Sequence, residues 1–219
     1  MEIGAIFDWD GVVIDSSSHH EESWERLAKE EGKILPVDHF KKGFGMKNEK
    51  IIPGFLAWTS DRDEILRMSL RKEELYREVV EERGIAPLPG IVDFLEMLYQ
   101  AKIPCVVGSS THRLNIETIL DVMGVTKYFP LIVSAEDVSH GKPDPEVFTV
   151  AASKIGVEPQ NCIVFEDAQV GIDAGLAGGM KVIALSTTHP AEELSGAARI
   201  VSRLDVLSME DLLFILTSS

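Results

Sequence analysis

Long apolar runs are missing from this sequence of 219 residues. None approaches the roughly 18 residues that a membrane-spanning helix needs. A first strand expected from residue 2 or 3 leaves no room for a signal peptide, so a cytoplasmic location is the default expectation. Cysteine is scarce: Cys105 and Cys162 both fall inside short apolar, strand-like runs and read as buried core thiols rather than a disulfide or a reactive nucleophile. Positive charge is in deficit, with 21 Lys and Arg against 36 Asp and Glu and a net charge of −15. That balance disfavours nucleic acid and anionic membranes as partners, because both demand a basic footprint. A site for an anionic substrate must therefore gather positive charge locally, from a metal, a few Lys or Arg, or helix N-termini. Internal repeats, low-complexity tracts and a long disordered tail are lacking too. What remains, 45% hydrophobic and 26% charged, is the composition of an ordinary globular protein. Its length allows one good-sized core or one core with a smaller appended domain.

Strand Ile3 to Phe7 is followed by a stretch, Ser16 to Gly84, that reads almost entirely as helix. One of Ser16, Ser17 or Ser18 can cap a first helix marked by Trp24, Leu27 and Ala28 and ending at Gly32. Shorter helices are expected over 39–42 and 48–58. A charged helix over 61–83 carries a broken apolar stripe of Ile65, Leu66, Met68, Leu70, Leu75, Tyr76, Val79 and Val80. Helices without an intervening strand suggest a small bundle. Pro87-Leu88-Pro89-Gly90 marks a linker or hinge. Beyond it, helices 91–102, 112–123, 144–156 and 168–177 alternate with strands 104–109, 131–134, 162–166 and 181–185, before a short strand near Ile200 and a last helix over 208–216. Such alternation predicts an α/β fold, a Rossmann-like parallel sheet with helices on both faces. The expected organisation is an α/β catalytic core, residues 1–15 and 87–219, interrupted by a helical-bundle domain over 16–86.

The chemistry lies at the strand ends. Asp8 and Asp10, in Phe7-Asp8-Trp9-Asp10-Gly11-Val12-Val13, sit where the first strand runs out, the place where open α/β sheets bind ligands. Such a pair can divide labour, one carboxylate attacking an electrophile and the other handling protons; a plain surface turn uses the same residues. Strand 104–109 ends in Ser109-Ser110-Thr111, whose hydroxyls and N–H groups can hold an anion or simply cap a helix. Lys142, in Gly141-Lys142-Pro143-Asp144-Pro145, follows the next strand. Glu166 and Asp167 end strand 162–166, where buried acids need pairing or a cation, and oxygen ligands suit Mg²⁺. If the sheet gathers these ends, Asp8, Glu166 and Asp167 hold Mg²⁺ while Lys142 and Ser109 bind a phosphate. A carboxylate and a phosphate repel at contact by roughly 4 kcal/mol or more at an effective dielectric of about 20, so attack on phosphorus demands such cations.

These four motifs, in this order, resemble those of the haloacid dehalogenase-like superfamily. The helical insertion resembles its branch with a helical cap, which includes β-phosphoglucomutase and many sugar-phosphate phosphatases. The resemblance implies that Asp8 attacks phosphorus and becomes an aspartyl-phosphate. It implies that Asp10 protonates the leaving oxygen, later deprotonates the incoming nucleophile, and lends its backbone carbonyl to Mg²⁺. Ser109 and Lys142 would bind the transferring phosphoryl group; Asp167, and Glu166 directly or through water, would complete the metal site. An acid at position 10 sets the chain apart from the dehalogenase and phosphonate-cleaving branches.

In the cap, His20 matches a histidine of β-phosphoglucomutase and Lys72 a lysine that reaches the substrate there, and both are expected to bind substrate. The alternatives are a His20 that only caps or pairs on the first cap helix and a Lys72 on a solvated charged face. Gly45, Lys47 and Ser110 join them as expected substrate-binding residues. Asn48 stands where the mutase has an arginine that grips a second phosphate, with Lys47 as the available substitute; losing a bidentate clamp weakens the mutase reading. The expectation is thus a Mg²⁺-dependent phosphatase acting on a small phosphorylated metabolite, a sugar phosphate first, and monomeric by default. A hexose-phosphate mutase is the alternative, and a non-catalytic binding protein on the same scaffold the third reading.

Overall fold

The computed structural model describes residues 2–39 and 46–218. In chain order it contains β1 (Gly4–Phe7), α1 (Ser17–Glu30), α2 (Asn48–Lys50) running into a π turn (Ile51–Phe55), α3 (Arg62–Arg83), α4 (Ile91–Gln100), β2 (Cys105–Gly108), α5 (Arg113–Met123), β3 (Leu131–Val133), α6 (Glu146–Ile155), β4 (Cys162–Glu166), α7 (Gln169–Ala177), β5 (Lys181–Leu185), β6 (Arg199–Val201) and α8 (Met209–Thr217). The chain divides into two compact units, residues 1–15 with 86–219, and residues 16–85. Among the described residues no helix is long and apolar enough to cross a membrane.

The first unit is an α/β Rossmann-like fold. Its strands are short continuous apolar runs, as strands covered on both faces must be, and they form one six-stranded parallel sheet in the order β3-β2-β1-β4-β5-β6. From β1 the chain builds outward through β2 and β3, then returns to lay β4 on the other side of β1, so the topological switch lies between β1 and β4. Phe7 pairs with Val107 on one side and Phe165 on the other. The next residues, Asp8, Gly108 and Glu166, therefore lie at one level at the strand ends. Beneath them Phe7 stacks on Phe165 with ring centroids 4.6 Å apart, and Trp9, fully buried between the two acids, meets Phe129 edge-on. Cys105 and Cys162 are free and buried, and burial pushes their thiols up to about 12 and about 11, away from reactivity.

Pro87 to Gly90 is more than a linker. Ile14 and Pro87 form an antiparallel bridge, and the Leu88 N–H donates to the Val13 carbonyl at 2.8 Å.

The second unit rests on α1 packed against α3, around Trp24, Leu27, Ile51, Ile52, Met68 and Leu75. Asp61 caps α3 by accepting from the N–H groups of Asp63 and Glu64, both at 3.0 Å. The helix expected over 48–58 does not run through. Pro53 has no N–H and its ring crowds the preceding turn, so the coil widens, with the Leu56 N–H donating to the Ile51 carbonyl at 2.9 Å. The helix expected over 39–42 falls largely outside the described residues. On α3 the buried face differs from the expected stripe: Leu66 and Leu70 are 54% and 55% exposed, while Lys72 and Glu73 are buried. Met68, Lys72, Leu75, Tyr76 and Val79 follow one helical face at spacings of three and four, which forces position 72 inward whatever its charge.

Candidate active site

The ends of β1, β2 and β4 and the loop after β3 deliver the acids, hydroxyls and lysine to one place. The Asp8 N–H donates to the Phe165 carbonyl at 3.0 Å, fixing the nucleophile candidate beside Glu166. Lys142 Nζ lies 2.9 Å from Asp8 Oδ1 and donates to Glu166 Oε1 at 2.6 Å. Glu166 Oε2 accepts from the N–H groups of Asp167 and Ala168 at 2.7 and 2.8 Å. Asp8, Glu166 and Asp167 bring carboxylate oxygens within 4.8 Å of one another. Asp10 accepts from Thr111 Oγ1 at 2.6 Å. Ser109 is buried and its Oγ accepts from the Thr111 N–H at 3.2 Å, while Ser110 on the same turn is exposed.

Neither of the turns that carry the hydroxyls and the second acid pair serves simply to cap a helix. The residue capping α5 is His112 rather than Ser110 or Thr111, because β2 ends before a longer turn that turns Thr111 toward Asp10. Ala168, not Asp167, holds the cap position of α7, and Glu166 accepts from the N–H groups of Asp167 and Ala168 just before the helix.

The electrostatics follow from burial. Removal from water raises the Glu166 carboxyl above its ordinary range, opposed by Lys142 and reinforced by Asp8. Burial, then the charges of Asp8 and Glu166, push Asp167 up to about 8. Burial alone would depress Lys142, but the charges of Asp8 and Glu166 outweigh it and hold the ammonium protonated. One internal cation thus faces three clustered carboxylates, and Asp8 Oδ1 is buried without a hydrogen bond of good geometry despite its ion pair with Lys142.

Two glycines make this packing possible. A Cβ on Gly171 would lie 1.7 Å from Glu166 Oε1, and a Cβ on Gly11, whose φ is +76°, would lie 2.0 Å from Asp167 Oδ2. Gly171→Ala is expected to expel the Glu166 carboxylate from its partners and lower stability by about 3–5 kcal/mol, as breaking a buried charge network does. Urea denaturation measures it; a loss below about 1 kcal/mol would show that Glu166 has room elsewhere.

In the helical unit the structure brings His20 and Lys72 together, with Lys72 Nζ 2.6 Å from His20 Nδ1. The His20 ring stacks on Tyr76 at 4.0 Å. Burial first, then the Lys72 ammonium, lowers His20 well below its ordinary value, so the ring is neutral and accepts from the lysine. Glu73 Oε1 accepts from Lys72 at 3.1 Å and from Asn48 Nδ2 at 2.7 Å. Lys47 is exposed, and Gly45 lies outside the described residues.

Sequence reasoning missed Glu73 and the loop after β5, and it named Thr111 without its partner Asp10. There Thr188 Oγ1 donates to Asp167 Oδ2 and Thr187 Oγ1 to the Gly11 carbonyl. The signal was present: Ser186-Thr187-Thr188-His189 is a polar strand end like those that were read. A second group, His140, Asp144 and Glu146, also clusters, but in an exposed loop where Glu146 already accepts from the N–H groups of Ser139 and His140.

Residues 5–185 match the family profile described as haloacid dehalogenase-like hydrolase. The 5-amino-6-(5-phospho-D-ribitylamino)uracil phosphatase of Arabidopsis thaliana, a chloroplastic protein, is 40% identical over 213 residues, 96% of this chain; the chain spans 57% of that protein's length. The validoxylamine A 7'-phosphate phosphatase of Streptomyces hygroscopicus subsp. limoneus is 32% identical, covering 88% of this chain and 90% of that protein. A crystal structure of β-phosphoglucomutase from Clostridium difficile superposes with a TM-score of 0.82 at 28% identity, covering 99% of this chain and 97% of the mutase. Motifs, sheet order and similarity agree: the chain belongs to the haloacid dehalogenase-like hydrolase family.

Proposed function

We propose that this protein is a Mg²⁺-dependent phosphatase that hydrolyses a small phosphorylated metabolite, of the sugar-phosphate class, through an aspartyl-phosphate on Asp8. The observation that carries the reading is the cluster itself: Lys142 bridges Asp8 and Glu166 beside Asp167, with Asp10 two residues away on a separate hydrogen bond. The donor set fits a divalent cation. It offers oxygen atoms alone, its carboxylates are crowded beyond what Lys142 neutralises, and Asp8 Oδ1 lacks a well-aligned donor. Asp8 and Asp167, the Asp10 carbonyl, and Glu166 directly or through water would hold Mg²⁺. When bound, it would screen the approach of Asp8 to an anionic phosphoryl group.

In this reading Asp8 attacks phosphorus in line, an Asp8–phosphorus oxygen bond forms, and the ester bond to the leaving oxygen breaks. Asp10 gives its proton to that oxygen. Asp10 then takes a proton from water as the water attacks phosphorus, releasing inorganic phosphate and restoring Asp8. Ser109 and Lys142 hold the phosphoryl oxygens and stabilise charge through both steps. The phosphatase names of the Arabidopsis and Streptomyces relatives support hydrolysis. A net charge of −15 favours a small substrate over nucleic acid and suits a monomeric enzyme. The mutase reading draws on the Clostridium structure; against it, the Asn48 amide is turned to Glu73.

A screen of sugar phosphates, nucleotides, phosphorylated ribitylamino-uracils and small phosphate esters tests the proposal, following free phosphate and isomerised sugar phosphate together. Phosphate release that falls at least about 100-fold in EDTA is expected. Glucose 6-phosphate formed from β-glucose 1-phosphate with a bisphosphate primer would replace phosphatase by mutase. No turnover of any ester with Mg²⁺ would leave a binding protein.

A further inference from the structure

We infer that Thr188, on the loop leaving β5, is a positioning residue that presents Asp167 to the divalent cation; the inference rests on the cation site proposed above. Asp167 Oδ2 is confined from two sides. On one it occupies the space where a Gly11 side chain would begin, 2.0 Å from the ideal Cβ position. On the other it accepts the Thr188 hydroxyl hydrogen. A hydroxyl has one hydrogen, so the Thr188 oxygen, having donated to Asp167, can only accept from His189 Nδ1, 2.9 Å away. The same nitrogen lies 3.2 Å from the Asp167 carbonyl, which ties the loop to the main chain of the residue it orients. Thr187 extends the clamp by donating to the Gly11 carbonyl, in the turn that follows Asp10. The loop after β5 thus grips both turns that carry the acids, and Asp167 has one oxygen engaged and the other left for the cation.

A carboxylate pinned in this way meets a cation without first losing rotational freedom, and its unpinned oxygen is the one presented. Orienting partners of this kind affect metal affinity about 10- to 100-fold. Thr188 is exposed and lies on a loop, so its contribution to folding is small compared with that effect.

The test is Mg²⁺ binding to the whole protein without substrate, by titration calorimetry, for wild type, Thr188→Val, Thr188→Ser and Asp167→Asn, with thermal unfolding in EDTA beside it. Valine keeps the branched shape and deletes the hydroxyl. The expected result is a Kd about 10- to 100-fold weaker for Thr188→Val, within about threefold of wild type for Thr188→Ser, and no measurable binding for Asp167→Asn. Unfolding midpoints of the Thr188 variants in EDTA are expected within about 2 °C of wild type. Wild-type affinity in Thr188→Val overturns the inference and leaves the cation site standing. Equal weakening in both Thr188 variants, or a midpoint lowered by more than about 5 °C, overturns it in favour of a structural role. Failure of the wild type itself to bind Mg²⁺ overturns the cation site and the inference together.

Discussion

Asp8→Asn is expected to lower turnover by roughly 10⁴-fold or more while the protein stays folded. Asparagine matches the shape of aspartate, and its main-chain N–H can still donate to the Phe165 carbonyl. What it lacks is a carboxylate oxygen able to form and release a bond to phosphorus. Lys142 keeps Glu166 as a partner, so the substitution removes one of the clustered negative charges without stranding the lysine. Two measurements check it. Steady-state phosphate release gives the loss, and quenched wild-type enzyme should carry an acyl phosphate that hydroxylamine cleaves and that the variant does not form. Turnover above about 1% of wild type in Asp8→Asn would mean that another group attacks phosphorus.

Lys142→Met carries the second large effect, here on stability. Methionine fills the lysine stem's space over the Phe148 ring, which lies 4.9 Å from Nζ, and deletes the charge. Asp8 and Glu166 would then share a buried region with Asp167 and no internal cation. Removing one partner of a buried ion pair costs about 3–5 kcal/mol, much more than losing an exposed pair such as Arg67 with Glu31, which water already screens. Urea denaturation in EDTA measures the loss, and added Mg²⁺ should recover part of it. A loss below about 1 kcal/mol would show that the acids relieve their repulsion without the lysine.

The fold was legible where apolar runs alternate with helical segments, because parallel strands buried on both faces need continuous apolar stretches and Asp8, Ser109 and Glu166 end them at recognisable places. Much of the site follows from the same logic: register carries one set of strand ends to one level. Other features escaped because they depend on three-dimensional neighbours. Lys72 belongs to a charged run that reads as a solvated surface, yet helical spacing from Met68 and Leu75 draws it inside, where Glu73 neutralises it. Pro53 sits inside the helix expected over 48–58, where the coil widens instead of continuing as an α-helix. Thr188 lies on a polar strand end that could have been read, but its contact with Asp167, 21 positions earlier, shows only in the fold.

The bridge between Ile14 and Pro87 has a consequence for how such a chain diverges. It closes residues 16–85 into a loop at its base, inside the α/β unit, and each doubling of a loop's length adds only about 0.6 kcal/mol of closure entropy. Insertions and replacements above that closure leave the pairing of Phe7 with Val107 and Phe165 untouched. Drift in the inserted segment is thereby uncoupled from the cluster of Asp8, Lys142, Glu166 and Asp167, so one can be rewritten while the other is inherited whole.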